Sequence, residues 1–103
     1  MIRLESIKAE VSPGVHTCTI PAGHVMQIRH DTRHGVAHID VLTGDTQGTQ
    51  DLTYYVIAAA STVEHDMPGQ PKLLGSWTYP NGTGGMAFTI GTEADKRARP
   101  SRI

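Results

Sequence analysis

The side chains with the clearest capacity for chemistry in this chain are its six histidines. Three of them are spaced by four residues, and one more histidine and two aspartates lie close by: His30, His34, His38, His24, Asp31 and Asp40. Imidazole nitrogens and carboxylate oxygens are ligands of zinc, iron and manganese. In a hairpin, His30 would end one strand and His38 would lie in the next, so the two rings could approach each other across the strands.

The spacing of these histidines matches no established zinc signature. The residues between His30 and His38 include Asp-Thr-Arg and a glycine, which indicate a turn rather than a helix with the three rings on one face. We therefore interpret them as exposed hairpin histidines, and we expect no metal and no other cofactor. A metal site is the alternative, with ligands drawn from His24, His30, His34, His38 and His65.

The sequence IPAGH at residues 20–24 resembles a segment of the cupins, whose metal site lies in a jelly roll. Such sites usually combine an H-x-H pair, a Glu a few residues later and a distant His. Here there is no H-x-H pair and no Glu between Val11 and Val63, so only His65 matches, as the distant ligand. The resemblance implies a jelly-roll fold without the metal motif, and a small cupin-like, metal-dependent enzyme or sensor is one alternative function.

Residues for nucleophilic or phosphate chemistry form no recognisable motif. Cys18 lies in a predicted strand, where a free cysteine usually packs as a small apolar residue. The sequence contains no G-x-S-x-G, G-x-G-x-x-G or G-K-[ST] motif. Asp45 and Asp51 lie in one polar loop, but their spacing is not that of a calcium-binding loop. We therefore expect no catalytic residues, and we favour a function other than catalysis.

The charges are distributed unevenly along the chain. Residues 1–92 contain five Lys or Arg and eight Asp or Glu, whereas residues 93–103 contain four basic and two acidic residues. The acidic body does not favour nucleic-acid binding. The basic tail is either a frayed terminus or an arm that binds an acidic neighbour, such as another copy. Its predicted interaction residues are Lys96, Arg97, Arg99, Arg102 and Ile103.

Alternation with a period of two predicts seven or eight short strands separated by turns. They cover residues 2–5, 15–20, 24–30, 36–43, 52–58, 72–79 and 86–90, and residues 61–65 either extend the fifth strand or form a further short one. The run LTYYVIA is continuous and apolar, which predicts a strand buried on both faces; the alanines at residues 58–60 make a helix the alternative, but Tyr-Tyr-Val-Ile favours the strand. The pattern predicts an all-β domain of residues 1–91, either a compact jelly-roll-like β-sandwich or a small barrel, followed by an extended C-terminal tail at 92–103.

Near the C-terminal end of this domain, the pattern makes two more detailed predictions. Alternation places Leu73, Trp77 and Tyr79 on one face of their strand and Leu74 on the other. The sequence PNGTGG at residues 80–85 predicts a hairpin, in which Asn-Gly supplies a positive φ at little cost.

The composition indicates that a partner or an oligomer would stabilise the domain. Only 38% of the residues are hydrophobic and five are aromatic, so the core is thin and a partner or an oligomer would support it. The single cysteine excludes an intramolecular disulfide. The sequence shows neither a signal peptide nor a transmembrane segment, which favours a location in the cytoplasm or in a virion over secretion.

These observations favour a non-enzymatic structural or binding module. We expect it to associate with copies of itself or to dock on a larger protein assembly, such as a phage virion in which it would be a capsid decoration or tail-associated protein. Besides the cupin-like alternative, a third interpretation is a β-sandwich that binds a sugar or another small ligand through Trp77, Tyr79 and Tyr54.

Overall fold

The computed structural model describes residues 1–45, 47–59, 61–62 and 69–90, which form seven β-strands. The strands are β1 (Arg3–Lys8), β2 (Gly14–Pro21), β3 (His24–Asp31), β4 (Val36–Thr43), β5 (Thr49–Ala58), β6 (Pro71–Thr78) and β7 (Gly84–Ile90). The all-β prediction is confirmed. Within the described ranges, there is no helix long and apolar enough to cross a membrane.

The strands form two antiparallel sheets. A three-stranded sheet has the order β1-β4-β3, and a four-stranded sheet has the order β2-β5-β7-β6. The small barrel is therefore wrong as an alternative, because the described strands form two separate hydrogen-bonded sheets rather than one closed sheet. The predicted strand at 61–65 lies largely outside the described residues, as does the tail at 92–103.

Both sheets contribute side chains to one core. Six of the seven strands supply its buried members, which are Ile20, Ile28, Ile39, Val41, Tyr54, Val56, Leu74, Trp77 and Ala87. The chain crosses from the three-stranded to the four-stranded sheet between β1 and β2, where the buried Tyr54 hydroxyl accepts a hydrogen bond from Glu10 N (3.1 Å) and donates one to Glu10 O (2.7 Å). These two bonds connect the crossing segment to the core, and each provides a partner for a backbone group that would otherwise lack one.

The edges of the two sheets meet where β3 lies against β6. Each of these strands carries a register shift, one between Val25 and Gln27 and the other between Leu73 and Gly75. Gly75 lies directly against the backbone carbonyl of Ile28, and a Cβ atom at this position would overlap the carbonyl oxygen. A glycine is therefore required for the two sheets to approach each other this closely.

The register shift in β6 also changes which leucine is buried. Leu73 pairs with Phe88 and is 59% exposed, whereas Leu74 is buried with Trp77 in the core. The predicted alternation, with Leu73 on the side of Trp77, was wrong. A bulge adds one residue to its strand and so reverses the alternation of faces on one side of it.

Strand β5 is buried on both faces over Tyr54, Tyr55 and Val56, as its apolar sequence predicts. It begins at Thr49, three residues before the predicted start, within the segment interpreted as a polar loop. Its polar N-terminal half pairs with β2 as far as Pro21 opposite Thr49, so strand pairing extends β5 beyond its apolar residues.

The β6–β7 hairpin has the predicted turn, and a glycine in it has a positive φ. Gly82 has φ 90° and donates its N–H to the carbonyl of Tyr79 at 2.8 Å. We expect Gly82→Val to lower the free energy of unfolding by about 1–3 kcal/mol, because a β-branched residue resists positive φ. Thermal unfolding would measure this loss, and an unchanged melting temperature would contradict it.

Candidate functional site

The histidines that are spaced by four residues in the sequence do not lie together in the structure. Register pairs His30 with Ala37 and Arg29 with His38, so the His30 and His38 side chains leave opposite faces of the three-stranded sheet. His24 begins β3, and its side chain is exposed. The described residues contain no group of three His, Cys, Asp or Glu side chains placed to hold a metal ion, and His65 lies outside the described residues.

His34 is part of an exposed turn. Its Nδ1 donates a hydrogen bond to Asp31 Oδ2 at 2.8 Å, and Asp31 Oδ1 accepts the backbone N–H groups of Arg33 and His34. The hydrogen bond from His34 lowers the pKa of Asp31 below its ordinary value. These contacts stabilise the β3–β4 connection, so the proximity of His34 to Asp31 has a local structural explanation.

His30 lies where the two sheets meet, among aromatic rings. Its ring centroid is 5.0 Å from that of Trp77 and 5.8 Å from that of Tyr79, with edge-to-face geometry in both cases. Burial lowers the pKa of His30, while the charge of Asp31 acts in the opposite direction. Its Nδ1 is buried and has no hydrogen-bond partner among the described residues. The ring therefore packs as a neutral aromatic group, which favours a structural role.

A buried carboxylate lies on the other face of the three-stranded sheet. Asp40 accepts hydrogen bonds from Arg29 Nε (2.6 Å), Arg29 Nη2 (2.9 Å), Gln27 Nε2 (2.8 Å) and Ser6 Oγ (2.7 Å). These donors come from both neighbouring strands, and they cover a side chain that is only 3% exposed. The Arg29 guanidinium holds the pKa of Asp40 well below its usual range. Sequence reasoning grouped Asp40 with the histidines and missed this cross-strand network.

Among the other candidate groups, the two loop aspartates and Cys18 have contacts that favour structural roles. The carboxylate of Asp45 pairs with the N-terminal amine of Met1, and Asp51 accepts a hydrogen bond from Thr19. Burial and the charge of Asp51 raise the pKa of the Cys18 thiol, which makes it a poor nucleophile. The predicted interaction residues of the tail, Lys96, Arg97, Arg99, Arg102 and Ile103, lie outside the described residues.

The aromatic residues considered for sugar binding do not form an open platform. Tyr54 is 1% exposed and Trp77 is 8% exposed, and both belong to the core. The Trp77 indole nitrogen lies against Gly85 on the neighbouring strand, in space that a side chain at residue 85 would otherwise occupy. A ring that binds a sugar must present its face to solvent, and these two rings are covered.

The outer surface of the four-stranded sheet is apolar at one end, while Thr17, Thr19, Asp51 and Thr53 lie at the other end. The apolar side chains point away from the core, and we call the set the apolar face: Val15, Tyr55, Ile57, Pro71, Leu73, Met86, Phe88 and Ile90. Register aligns four of them in one row across all four strands, in the order Val15, Tyr55, Phe88, Leu73.

The apolar face is exposed at its ends and buried at its centre. Val15 is 48% and Leu73 59% exposed, whereas Tyr55 is 7% exposed and stacks on Phe88 with the ring centroids 5.6 Å apart. A depression of about 280 Å³ lies among Pro71, Leu73, Met86 and Phe88. The alternation of these residues could be predicted from the sequence, but their orientation away from the core could not. The bulge at Leu74, which turns Leu73 outward, has no signal in the pattern.

Comparison with known proteins gives no further guide to function. No protein-family model, no curated protein and no solved structure matches the chain.

Proposed function

We propose that this protein is a non-enzymatic assembly module whose copies associate through the apolar face. The observation that carries the proposal is the row of four apolar side chains across the whole four-stranded sheet, with Leu73 and Val15 exposed at its two ends. Contiguous exposed apolar patches mark protein-binding surfaces on soluble proteins. The finer architecture that we propose is a jelly-roll-like β-sandwich, supported by the single core that both sheets share.

A second copy of the chain is the occupant that we propose for this face. None of the eight side chains of the apolar face is charged, and the carboxylate on the same outer surface, Asp51, lies beside Thr19 at the other end of β2 and β5. Two copies can therefore meet at the apolar face without the burial of an unpaired charge. With strands about 4.8 Å apart and rows about 7 Å apart, each side chain covers about 34 Å², so its eight side chains cover roughly 270 Å². A standard interface buries about 800 Å² on each partner, so an additional contact must contribute.

The basic tail is one such contact in the proposal. The tail has four basic residues, whereas the rest of the chain is acidic, so the tail of one copy can neutralise the body of another. Exposed ion pairs are worth about 0–1 kcal/mol each, so the tail would act through several of them together. Membership of a virion remains a prediction from composition.

The test is the solution mass as a function of concentration. We expect light scattering to show an oligomer for the unmodified protein, and Leu73→Lys to reduce the mass, because a buried lysine would lose its solvation. The matched control is Leu4→Lys, which introduces the same charge at a 62% exposed leucine of the other sheet and should leave the mass unchanged. Equal masses for Leu73→Lys and the unmodified protein would contradict the proposal.

The same measurement tests the tail. Deletion of residues 93–103 should weaken association and leave the circular dichroism of the β domain unchanged. Salt at about 1 M, which reduces the Debye length to roughly 3 Å, should weaken the full-length assembly in the same direction. If the truncated chain associates as tightly as the full chain at low salt, the tail has no part in assembly.

A further inference from the structure

We infer that strand β2 pairs in antiparallel orientation with β2 of a second copy, which joins two four-stranded sheets into one sheet of eight strands. The inference rests on the proposed self-association and names a contact for it other than the apolar face. It follows from a comparison of the four edge strands, which are β1 and β3 in one sheet and β2 and β6 in the other.

Three of these edges carry features that prevent pairing with another chain. Strand β1 has charged side chains at Arg3, Glu5 and Lys8. Strands β3 and β6 each contain a register shift, and they lie against each other where the sheets meet. Strand β6 also begins with Pro71, which has no N–H to donate. Charges, bulges, prolines and coverage are the means by which proteins block edge-to-edge pairing.

Strand β2 has none of these features between Gly14 and Ile20. It is eight residues long, has no Asp, Glu, Lys or Arg, and keeps an unbroken register with β5 from Gly14 to Pro21. Its only proline is the last residue. Among the described residues, its backbone makes ladder hydrogen bonds to β5 alone, so its other side presents unpaired N–H and C=O groups. A long, uncharged edge of this kind favours the addition of another strand.

A second copy is the partner that fits this edge best. Antiparallel pairing of a strand with itself is generated by a two-fold axis perpendicular to the sheet, which is the commonest symmetry of oligomers. The exposed side chains of β2 alternate as Val15, Thr17 and Thr19, and Thr–Thr and apolar pairs across strands are favourable. Because β2 has no Asp, Glu, Lys or Arg, its pairing with β2 of a second copy brings no like charges together.

Pairing at this edge also enlarges the apolar surface. The two-fold axis leaves both apolar faces on the same side of the eight-stranded sheet. Two faces of roughly 270 Å² then provide about 540 Å², which approaches the roughly 800 Å² that a standard interface buries on each partner. Two such dimers can therefore stack through their joined faces, which gives a tetramer with two kinds of interface.

The experiment uses opposite charges at Thr17, an exposed position on β2. Alone, Thr17→Lys and Thr17→Asp each place two like charges close to the two-fold axis, and we expect each to raise the dissociation constant of the edge dimer about tenfold or more. An equimolar mixture of the two variants should restore association, because each mixed pair has opposite charges. A defect in folding alone would not be restored by mixing, and circular dichroism of each variant provides the folding control.

The outcomes separate this inference from the proposed function. We expect Leu73→Lys to leave an edge dimer, and Thr17→Lys combined with Leu73→Lys to leave a monomer. Loss of association in both Thr17 variants without restoration on mixing would overturn the edge pairing, as would unchanged masses for both. If Leu73→Lys by itself gives a monomer, the apolar face alone mediates association and the edge pairing is wrong. A monomeric unmodified protein at all concentrations would overturn both proposals.

Discussion

Replacement of Gly75 by alanine should cost this protein about 3 kcal/mol or more of its free energy of unfolding. The added Cβ would overlap the carbonyl oxygen of Ile28, which is backbone and cannot move aside as a flexible side chain can. The strands β3 and β6 would then have to separate, and Leu74 and Trp77 would lose packing in the core. A domain of this size has a total stability of about 5–15 kcal/mol, so the loss is a large fraction of it.

The matched control is Gly44→Ala. No atom lies within 4 Å of a Cβ built at Gly44, and this glycine is not in the positive-φ region, so alanine should be tolerated there. Urea unfolding of the two variants measures the difference in stability. A Gly75→Ala protein as stable as the Gly44→Ala protein would show that the sheets do not approach each other as described.

Replacement of Arg29 by methionine should lower the melting temperature by several degrees at pH 7. Methionine keeps much of the length of the side chain but removes the two charged donors, so the buried Asp40 carboxylate would retain only Gln27 and Ser6. A buried charge that loses its partner destabilises the folded state. Because the Arg29 side chain is itself 52% exposed, solvent screening makes the effect smaller than for a fully buried pair.

The effect of this substitution should depend on pH. In the unmodified protein, the pKa of Asp40 is lower in the folded than in the unfolded state, so its stabilising contribution is present at neutral pH. That contribution begins to be lost as the pH falls through about 4, the ordinary pKa of aspartate, and it is lost completely only below the lower folded-state pKa. Without Arg29, the folded-state pKa rises, so the difference in melting temperature should be largest at pH 7 and shrink towards pH 3.

A control variant separates this ion pair from a general effect of charge removal. Arg3→Met removes a cation from an exposed position that has no side-chain ion pair among the described residues. Its melting temperature should follow that of the unmodified protein across the same pH range. An Arg29→Met protein that behaves like Arg3→Met at every pH would mean that Arg29 does not stabilise the Asp40 carboxylate.

Strand positions could be predicted from the sequence because alternation and turn residues act locally. Runs such as LTYYVIA at residues 52–58 and the Asn-Gly hairpin gave correct strands and a correct turn. The face of the sheet on which each side chain lies was less predictable. One extra residue at Leu74 reversed the expected side of Leu73, and the bulge lies next to Gly75, which contacts β3, a strand distant in sequence.

In the candidate site too, local features could be predicted and contacts between distant residues could not. An all-β chain, an acidic body with a basic tail, and the lack of recognised metal or nucleophile motifs could be predicted, since these are properties of composition and local spacing. The positions of His30 and His38 on opposite faces, the ion pair of Arg29 with Asp40, and the place of β2 at the edge of its sheet could not be predicted. Strand order and register set which side chains meet, and both depend on pairing between segments far apart in the chain.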